Sequence, residues 1–404
     1  MQHKVIVIGH GYTSRLGMIR ALGSAGYEVI VIVMVGLQQV TKANNAHKPI
    51  DCYSKYVSKV FYCVSDREQL ISLLLTKCVV AGHKPVIIPD SDFSASTIDL
   101  FQERLKDFFL FPHINHTPGL LVEWMEKPRQ KNLARELGLN VAEGRSLEVV
   151  DGHYSIPSDI VYPCFSKPLA TIKGGKLGLR RCNNEAELRT ILDILAQQYS
   201  SLSVLVEEYK EIEVEYAVLG LATGCDVIIP GIIQNTSMAH GGHFGVAKQG
   251  KIMSIIGFED IISKFKSLVL QTGFVGIFDI DFYQSGGNIY FCELNLRYGG
   301  SGYAVTKMGV NLPAMFVKTI TNEPITDMRS DITTEALYVN ERMAIDDWEY
   351  GYIANKEFRS LLRHSDISFV YDDDDPNPGK RFDKMIMKAG ALRLARKIRS
   401  VIRK

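Results

Sequence analysis

The chain has 404 residues, of which 46% are hydrophobic, and a formal net charge of +1. This length predicts two or three domains with buried cores, and the near-zero charge argues against bulk attraction to nucleic acid or to a membrane. No apolar run reaches the length of a membrane-spanning helix, and the N-terminal run is too short for a signal peptide. Seven scattered cysteines without a CxxC pair favour reduced thiols in a cytoplasmic protein.

The N-terminal region alternates apolar strands with helices. Strands are expected at 4–8, 28–35, 57–64 and 85–89, and helices at 15–25, 67–81 and 93–108. Nearly all-apolar strands predict a parallel sheet covered on both faces. Gly9 and Gly11 are only two of the three glycines of a dinucleotide fingerprint, and no acid ends the second strand, which disfavours a dehydrogenase. Asp90-Ser91-Asp92 follows the last strand, where it either contacts a ligand or caps the next helix.

The middle of the chain carries lysines in three settings. Lys127 and Lys131 lie on a helix predicted over 120–139, and Lys167 ends a strand predicted over 162–168. The glycine-rich loop that follows contains Lys173, Gly174, Gly175 and Lys176. Backbone N–H groups of such a loop can surround phosphates, so lysines and loop together predict a triphosphate site. Taken singly, a helix lysine is usually a solvated one, and KGGK is usually just a turn.

A helix predicted over 185–198 leads to the strand 204–209, which ends in Glu207, Glu208 and Tyr209. Two more acids, Glu213 and Glu215, precede the next strand. These glutamates either contact a ligand or line a solvated strand edge. The loop 234–245 contains His240 and His243, whose spacing alone is a poor zinc signature. We expect a loop near the site, with the role of the histidines open, and an amphipathic helix over 259–272.

The segment 276–302 predicts a hairpin that binds a metal ion. Asp279 and Asp281 share one face of its first strand, and Glu293, Asn295 and Arg297 share one face of its second. If the turn around Gly286-Gly287 has an odd number of residues, Asp281 lies opposite Glu293. Neighbouring carboxylates repel unless a positive charge lies between them. Acidic and amide oxygens are ligands that Mg²⁺ prefers, and Arg297 can add donors for a phosphoryl group or carboxylate. The alternative is an edge hairpin with a solvated acidic face.

Together these motifs resemble the ATP-grasp superfamily, in its carboxylate–amine ligase and carbamoyl-phosphate-synthetase-like branch. Five of them occur in the family's order: a two-lysine helix, a strand-end lysine with a glycine-rich lid, the LVEEY strand, the DIDF strand and the ELNLR strand. Leu296 stands where many members have proline. The resemblance implies an α/β ATP-grasp fold. Its parts would be a Rossmann-like domain (1–118), a small subdomain with the lid (119–208), a metal-binding subdomain (209–328) and a C-terminal extension (329–404).

The resemblance also implies roles for residues. Lys131 and Lys167 would contact nucleotide phosphates, under a lid formed by the loop with Lys173 and Lys176. The backbone of Glu208 and Tyr209 would read the adenine edge, and the side chain of Glu207 or Glu208 would accept from its amino group. Glu215 would bind ribose, with Glu213 as a competitor. Asp281, Glu293 and Asn295 would hold Mg²⁺, for which Mn²⁺ could substitute. Arg297, Lys131 and Lys167 would stabilise the transferring phosphoryl group.

The implied reaction activates a substrate carboxylate with ATP and joins it to an amine. An amino acid, a dipeptide or a sugar acid would each suit, and the sequence does not name the substrates or the oligomeric state, for which a homodimer is one alternative. Other acceptors, such as bicarbonate or a thiol, and a non-catalytic nucleotide-binding protein remain open.

The last fourteen residues, ALRLARKIRSVIRK, predict a basic amphipathic helix. Such a helix can lie on an anionic membrane surface. We instead favour docking on the protein's own surface, with the basic side solvated.

Overall fold

The computed structural model describes residues 3–10, 13–36, 48–169, 178–240 and 245–402. Contacts divide the chain into two compact units. The large unit comprises Met1–Val122, Tyr216–Ile280 and Asn295–Lys404, and the small unit comprises Glu123–Glu215 and Asp281–Leu294. Each unit is described by itself.

The large unit begins with the predicted Rossmann-like sheet. Its elements are β1 (Lys4–Gly9), α1 (Thr13–Ser24), β2 (Glu28–Val35), β3 (Val57–Val64), α2 (Arg67–Lys77), β4 (Val86–Pro89), α3 (Asp92–Leu100) and α4 (Gln102–Leu105). The strands are parallel in the order β3-β2-β1-β4. The expected helix over 93–108 is interrupted at Phe101, which ends α3 and precedes α4. Ser91, rather than Asp90 or Asp92, caps α3. Its side chain accepts from the Ser94 N–H, and the Ser94 side chain accepts from the Ser91 N–H.

The chain continues through β5 (His113–Ile114) and α5 (Leu120–Trp124) into the small unit. There it forms α6 (Lys127–Glu136), β6 (Asn140–Val141), β7 (Gly144–Val150), β8 (Cys164–Pro168), β9 (Arg180–Cys182), α7 (Glu185–Gln198) and β10 (Ser201–Glu208). An antiparallel sheet in the order β7-β10-β8-β9 packs on α7 through Leu188, Leu192 and Leu195. The helix predicted over 120–139 is two helices, because Pro128 suits the first turn of a new helix but not the interior of a continuous one.

The chain then forms a second sheet, whose residues 214–215 and 281–294 belong to the small unit and whose remaining residues from here on belong to the large unit. Its elements are β11 (Val214–Thr223), β12 (Val227–Ile228), β13 (Ile232–Met238), β14 (Ala247–Met253), α8 (Glu259–Thr272), β15 (Phe274–Ser285), β16 (Asn288–Asn295), α9 (Gly302–Lys307) and α10 (Leu312–Ile320). Helix α8 has the predicted bounds and ends at Gly273, whose positive φ suits a helix terminus. Strands β15 and β16 are neighbours, so the predicted hairpin is present.

The C-terminal segment extends this second sheet. Its elements are β17 (Ala336–Val339), α11 (Glu341–Tyr350), α12 (Asn355–Arg363), β18 (Ile367–Ser368) and α13 (Asn377–Ile402). Two short 3₁₀ helices, Ile50–Tyr53 and Thr326–Met328, lie earlier in the chain. Strand β17 pairs antiparallel with β14 and parallel with β18. In the part of the chain that the structure describes, no helix is long and apolar enough to cross a membrane.

Helix α13 docks on the protein's own surface, as expected, but in the reverse orientation. Arg393 donates to the carbonyl oxygens of Trp348 and Ile353, and Arg396 donates to the carbonyl and side-chain oxygens of Glu349. Leu394 and Ile398 are instead 60% and 52% exposed. The expected docking of the apolar side is wrong for Leu394 and Ile398, and Arg393 and Arg396 contact the protein because carbonyl groups at the end of a helix attract guanidinium groups.

Candidate active site

One face of α6 carries the residues from which the candidate site of the small unit is built. Gln130 and Lys131 follow Lys127 by three and four residues, so all three lie on the same face of the helix. Each binds a different neighbour: Lys127 pairs with Glu293, Gln130 with the backbone of Leu294, and Lys131 with Glu207.

Glu207 is buried between two lysines. Its carboxylate contacts the ammonium of Lys131, and its Oε2 lies 2.6 Å from Nζ of Lys167. Burial lowers the pKa of Lys131 to about 7, and the nearby charge of Lys167 acts in the same direction. Burial also lowers the pKa of Lys167. Because two lysines share one carboxylate, this buried cluster would be stabilised by an added anion such as a phosphate.

The predicted carboxylate pair also has a cation beside it. Lys127 forms an ion pair with Glu293, and Asp281 acts on the same ammonium. Burial opposes the charged form of Lys127, but the two carboxylates outweigh that cost and raise its pKa. Lys127 thus supplies a positive charge of the kind that neighbouring carboxylates require.

The turn between the two strands is shorter than the odd-numbered loop that would set Asp281 opposite Glu293. Strand β15 ends at Ser285 and β16 begins at Asn288, so Gly286 and Gly287 alone form the turn, both with positive φ. The backbone N–H of Gly286 donates to Glu213 Oε1 at 2.8 Å, which fastens the turn. A two-residue turn by itself would place Asp281 opposite Cys292.

The burial pattern of β16 departs from a regular alternation after Phe291. Phe291 and Leu294 are both buried, although a regular strand would turn residues three apart to opposite faces, and Cys292 and Glu293 between them are both partly exposed. At the same place Gln130 takes over the role of a strand partner, because it accepts from the Leu294 N–H at 2.8 Å and donates to the Leu294 carbonyl at 2.7 Å.

In the large unit, Arg297 and Asp92 form an ion pair across 205 residues of sequence. Arg297 Nε lies 2.7 Å from Asp92 Oδ1, and a second guanidinium nitrogen lies 3.4 Å from Asn295 Oδ1. Asp92 stands in the first turn of α3, after the carboxyl end of β4.

Gly299 lies so close to Asp279 that only glycine fits, because a Cβ at this position would lie 2.5 Å from Asp279 Oδ2.

At the end of β10, two backbone N–H groups of the expected adenine site have partners within the protein. The N–H groups of Glu208 and Tyr209 donate to the carbonyls of Glu143 and Pro163. The Glu208 side chain pairs with Lys210 at 2.9 Å. The adenine contacts stay a prediction, and the LVEEY pattern does not reveal these protein partners.

Other predicted residues are placed as follows. Glu215 lies at the start of β11. Glu213 accepts from the Gly286 N–H at the hairpin turn, and the choice between Glu213 and Glu215 for ribose stays a prediction. His240 pairs with Asp347 through Nδ1, at 2.8 Å, and stacks on Tyr352. The lid residues Lys173, Gly174, Gly175 and Lys176 and the loop residue His243 lie outside the described residues.

Gln130 is the residue of this site that sequence reasoning missed. The available signal was its position between the two lysines of the helix, one residue before Lys131 and three after Lys127. A buried glutamine on a charged helix face must find partners, and here they are backbone groups of the metal-binding strand.

The carboxylates of the small unit are of the kind that Mg²⁺ prefers. Asp281 and Glu293 supply carboxylate oxygens, Lys127 pairs with Glu293, and Asp281 acts on the same ammonium. Among the described residues, no cluster of three His, Cys, Asp or Glu side chains could hold a metal ion. The assignment of Asp281, Glu293 and Asn295 as metal ligands stays a prediction.

Comparisons with known proteins identify the fold. The chain is 24% identical over 312 residues to the carbamoyl phosphate synthase large chain of Clostridium botulinum, which covers 73% of this chain and 27% of that protein. The chain thus spans only about a quarter of the length of this curated relative. No family model matches.

Two solved structures are similar in fold. The L-amino acid ligase from Bacillus licheniformis has a TM-score of 0.59 at 14% identity, over 83% of this chain and 79% of that one. The N5-carboxyaminoimidazole synthetase from Staphylococcus aureus, solved with ADP, has a TM-score of 0.61 at 17% identity, over 88% and 87%. Both are ATP-grasp enzymes. The chain therefore has the fold of these ATP-grasp enzymes, as its motifs predicted, and it is similar in sequence to the carbamoyl phosphate synthase large chain.

Proposed function

We propose that the protein is an ATP-dependent ligase that activates a carboxylate as an acyl phosphate and joins it to an amine. The observation that carries the proposal is the pair of charged clusters on one face of α6, where Lys131 and Lys167 surround the buried Glu207 and Lys127 accompanies Glu293 and Asp281. A cluster of two lysines on one carboxylate, beside a carboxylate pair, suits a nucleotide triphosphate with its metal ion.

Asp281, Glu293 and Asn295 would hold Mg²⁺ or, as a substitute, Mn²⁺, which when bound neutralises charge on the triphosphate. Lys131 and Lys167 would bind its phosphates, and Arg297 would bind the transferring phosphoryl group or the substrate carboxylate. Glu215 would bind the ribose. The loop with Lys173, Gly174, Gly175 and Lys176 would cover the phosphates and exclude water.

The reaction has two steps. A carboxylate oxygen attacks the γ-phosphorus, the bond to the bridging oxygen of the β-phosphate breaks, and ADP leaves. The amine then attacks the acyl carbon, phosphate leaves, and the amine loses a proton as the amide forms. Neither step uses a side-chain nucleophile, because positioning and charge neutralisation supply the catalysis.

The substrates proposed are small molecules: an amino acid, a dipeptide or a sugar acid as the carboxylate, with an amine as the acceptor. The solved L-amino acid ligase with the same fold supports the first of these. The relationship to carbamoyl phosphate synthase favours a second candidate, in which bicarbonate replaces the organic acid.

The test is ADP release by the purified chain across a matrix of carboxylates and amines, with bicarbonate as a separate arm and mass spectrometry of the products. Hydroxylamine should trap an acyl phosphate as a hydroxamate. ADP release that requires both a carboxylate and an amine would support the ligase, whereas ADP release that depends on bicarbonate alone would support the second candidate.

Glu293→Gln should lower ADP release by at least about a hundredfold while thermal unfolding stays near that of the parent, because a metal ligand is lost but the strand is kept. The control is Glu335→Gln, which removes an exposed carboxylate paired with Lys251. Unaltered ADP release in Glu293→Gln would overturn the metal assignment.

A further inference from the structure

The solvent-facing side of α13 is apolar, which is unusual for a helix on a protein surface. Its exposed large residues are Met387 at 68%, Leu394 at 60% and Ile398 at 52%. With the exposed Ala391 they are spaced four, three and four residues apart, so they form one continuous stripe. We call these four residues the α13 stripe.

The opposite side of α13 packs on the protein and holds the helix in place. The stripe is therefore not the face by which the helix docks on its own chain. Phe382 and Ala389 are buried in a core with Ile345, Phe358 and other residues of the C-terminal segment. Arg393 and Arg396 anchor the next two turns on carbonyls at the end of α11. The helix is fixed on one side and presents its apolar stripe on the other.

The charge beside the stripe is mainly positive. The sequence from residue 384 onward has eight basic residues and no acidic one, and of these Lys384 and Lys388 are exposed beside the stripe. Asp383, four residues before Met387, is also exposed, and its Oδ1 accepts from the Tyr371 hydroxyl at 2.7 Å. Two tyrosines lie close by, Tyr350 at 64% and Tyr352 at 52% exposed, and Arg396 stacks on the ring of Tyr350 at 4.5 Å. Tyrosine side chains suit the boundary between water and an apolar phase.

We propose that the α13 stripe binds the surface of an anionic lipid bilayer. An apolar face flanked by lysines enters the boundary between headgroups and acyl chains, while the lysines contact anionic headgroups. A second copy of the chain is a poor occupant, because the exposed Lys384 and Lys388 of two facing copies would repel each other. The inference is independent of the proposed ligase activity.

The test uses the full chain in co-sedimentation with vesicles of phosphatidylcholine, alone or with about one-third phosphatidylglycerol. The chain should bind the anionic vesicles and not the neutral ones, and binding should fall as salt is raised, because exposed charges are screened. Lys384→Gln and Lys388→Gln should each weaken binding by up to about fivefold.

Replacing Leu394 and Ile398 together by Ser should weaken binding by at least about tenfold, because two large apolar contacts are lost. The matched control is Ile256→Ser, which removes a 76%-exposed isoleucine on another element and should leave binding unchanged. Circular dichroism confirms that the variants keep their helices.

The proposal is overturned by equal binding to neutral and anionic vesicles, by no binding to either, or by full binding of the double variant. Light scattering provides the remaining check. A dimer of the parent that the double variant converts to a monomer would assign the stripe to a second copy instead.

Discussion

Gln130 is the residue on which the geometry of the metal-binding strand most directly depends. Its side chain makes three short bonds: it donates to the carbonyls of Trp124 and Leu294 at 2.7 Å and accepts from the Leu294 N–H at 2.8 Å. The last two lie beside Glu293, in the part of β16 where the strand changes phase. Gln130 therefore acts on Glu293 through the backbone, as a positioning residue.

Gln130→Leu should cost about 2–3 kcal/mol of unfolding free energy, because a buried N–H and two carbonyls lose their partner. It should also lower kcat for ADP release far more than that loss of stability explains, since Glu293 would no longer be held in register. Urea unfolding and steady-state kinetics measure the two effects.

The control for this variant is Gln102→Leu, which removes another buried glutamine that bonds to Asp99 in the Rossmann-like sheet region. It should reduce stability and leave kcat near the parent value. Equal kcat values for Gln130→Leu and Gln102→Leu would contradict the positioning role.

At the scale of elements, the start of α11 is joined to the chain after β18 by one carboxylate. Glu341 is fully buried and accepts from Ser368 Oγ and from the N–H groups of Phe369 and Val370 at 3.1 and 3.2 Å. Burial raises the pKa of Glu341 from 4.5 to about 7, although these donors favour the charged form. The folded protein therefore holds a proton that the unfolded chain releases near pH 4.5.

Because the folded state binds this proton more tightly, its contribution to stability is present below about pH 4.5 and is lost as pH rises to about 7, by up to about 3 kcal/mol. Glu341→Gln keeps the shape of the side chain without the titration. Its free energy of unfolding should consequently vary less between pH 5 and 8 than that of the parent, as measured by urea unfolding. Glu335→Gln, at an exposed site, should keep the parent's slope; an unchanged slope in Glu341→Gln would refute the assignment.

At the scale of the whole molecule, a buried ion pair joins the two ends of the sequence within the large unit. Arg20 on α1 donates to Asp375 Oδ2 at 3.0 Å and also to the carbonyls of Phe369 and Val370. Asp375 Oδ1 accepts from the Lys55 N–H at 2.8 Å. This network holds the C-terminal segment on the Rossmann-like domain.

Arg20→Met should reduce the free energy of unfolding by about 3–5 kcal/mol, because it leaves the Asp375 carboxylate buried without its cation. Adding Asp375→Asn should recover part of that loss, and a double-mutant cycle by urea unfolding measures the coupling. The exposed pair Arg329–Asp226 is the comparison, and removing its cation should cost less than about 1 kcal/mol. A similar cost at both pairs would show that Arg20 is not a buried anchor.

Several elements were predictable because local pattern decides them. Helices α7 and α8 have their predicted bounds, since a capping residue or a glycine marks their ends and apolar spacing marks their faces. The Rossmann-like strands were predictable because buried parallel strands are continuously apolar. The break at Pro128 was missed because the apolar pattern continues across it.

The sequence by itself determined the hairpin with its acidic residues and the order of the lysines along the chain, because these depend on residue type and spacing. The ATP-grasp fold followed from the resemblance that these motifs carry. Tertiary structure alone decided which charges meet. Lys127 meets Glu293, two lysines share Glu207, Gln130 bonds to the backbone of β16, and Arg393 and Arg396 contact the end of α11. The physical reason is that each of these groups pays a desolvation cost only where distant segments bring it a partner, and no local pattern encodes that partner.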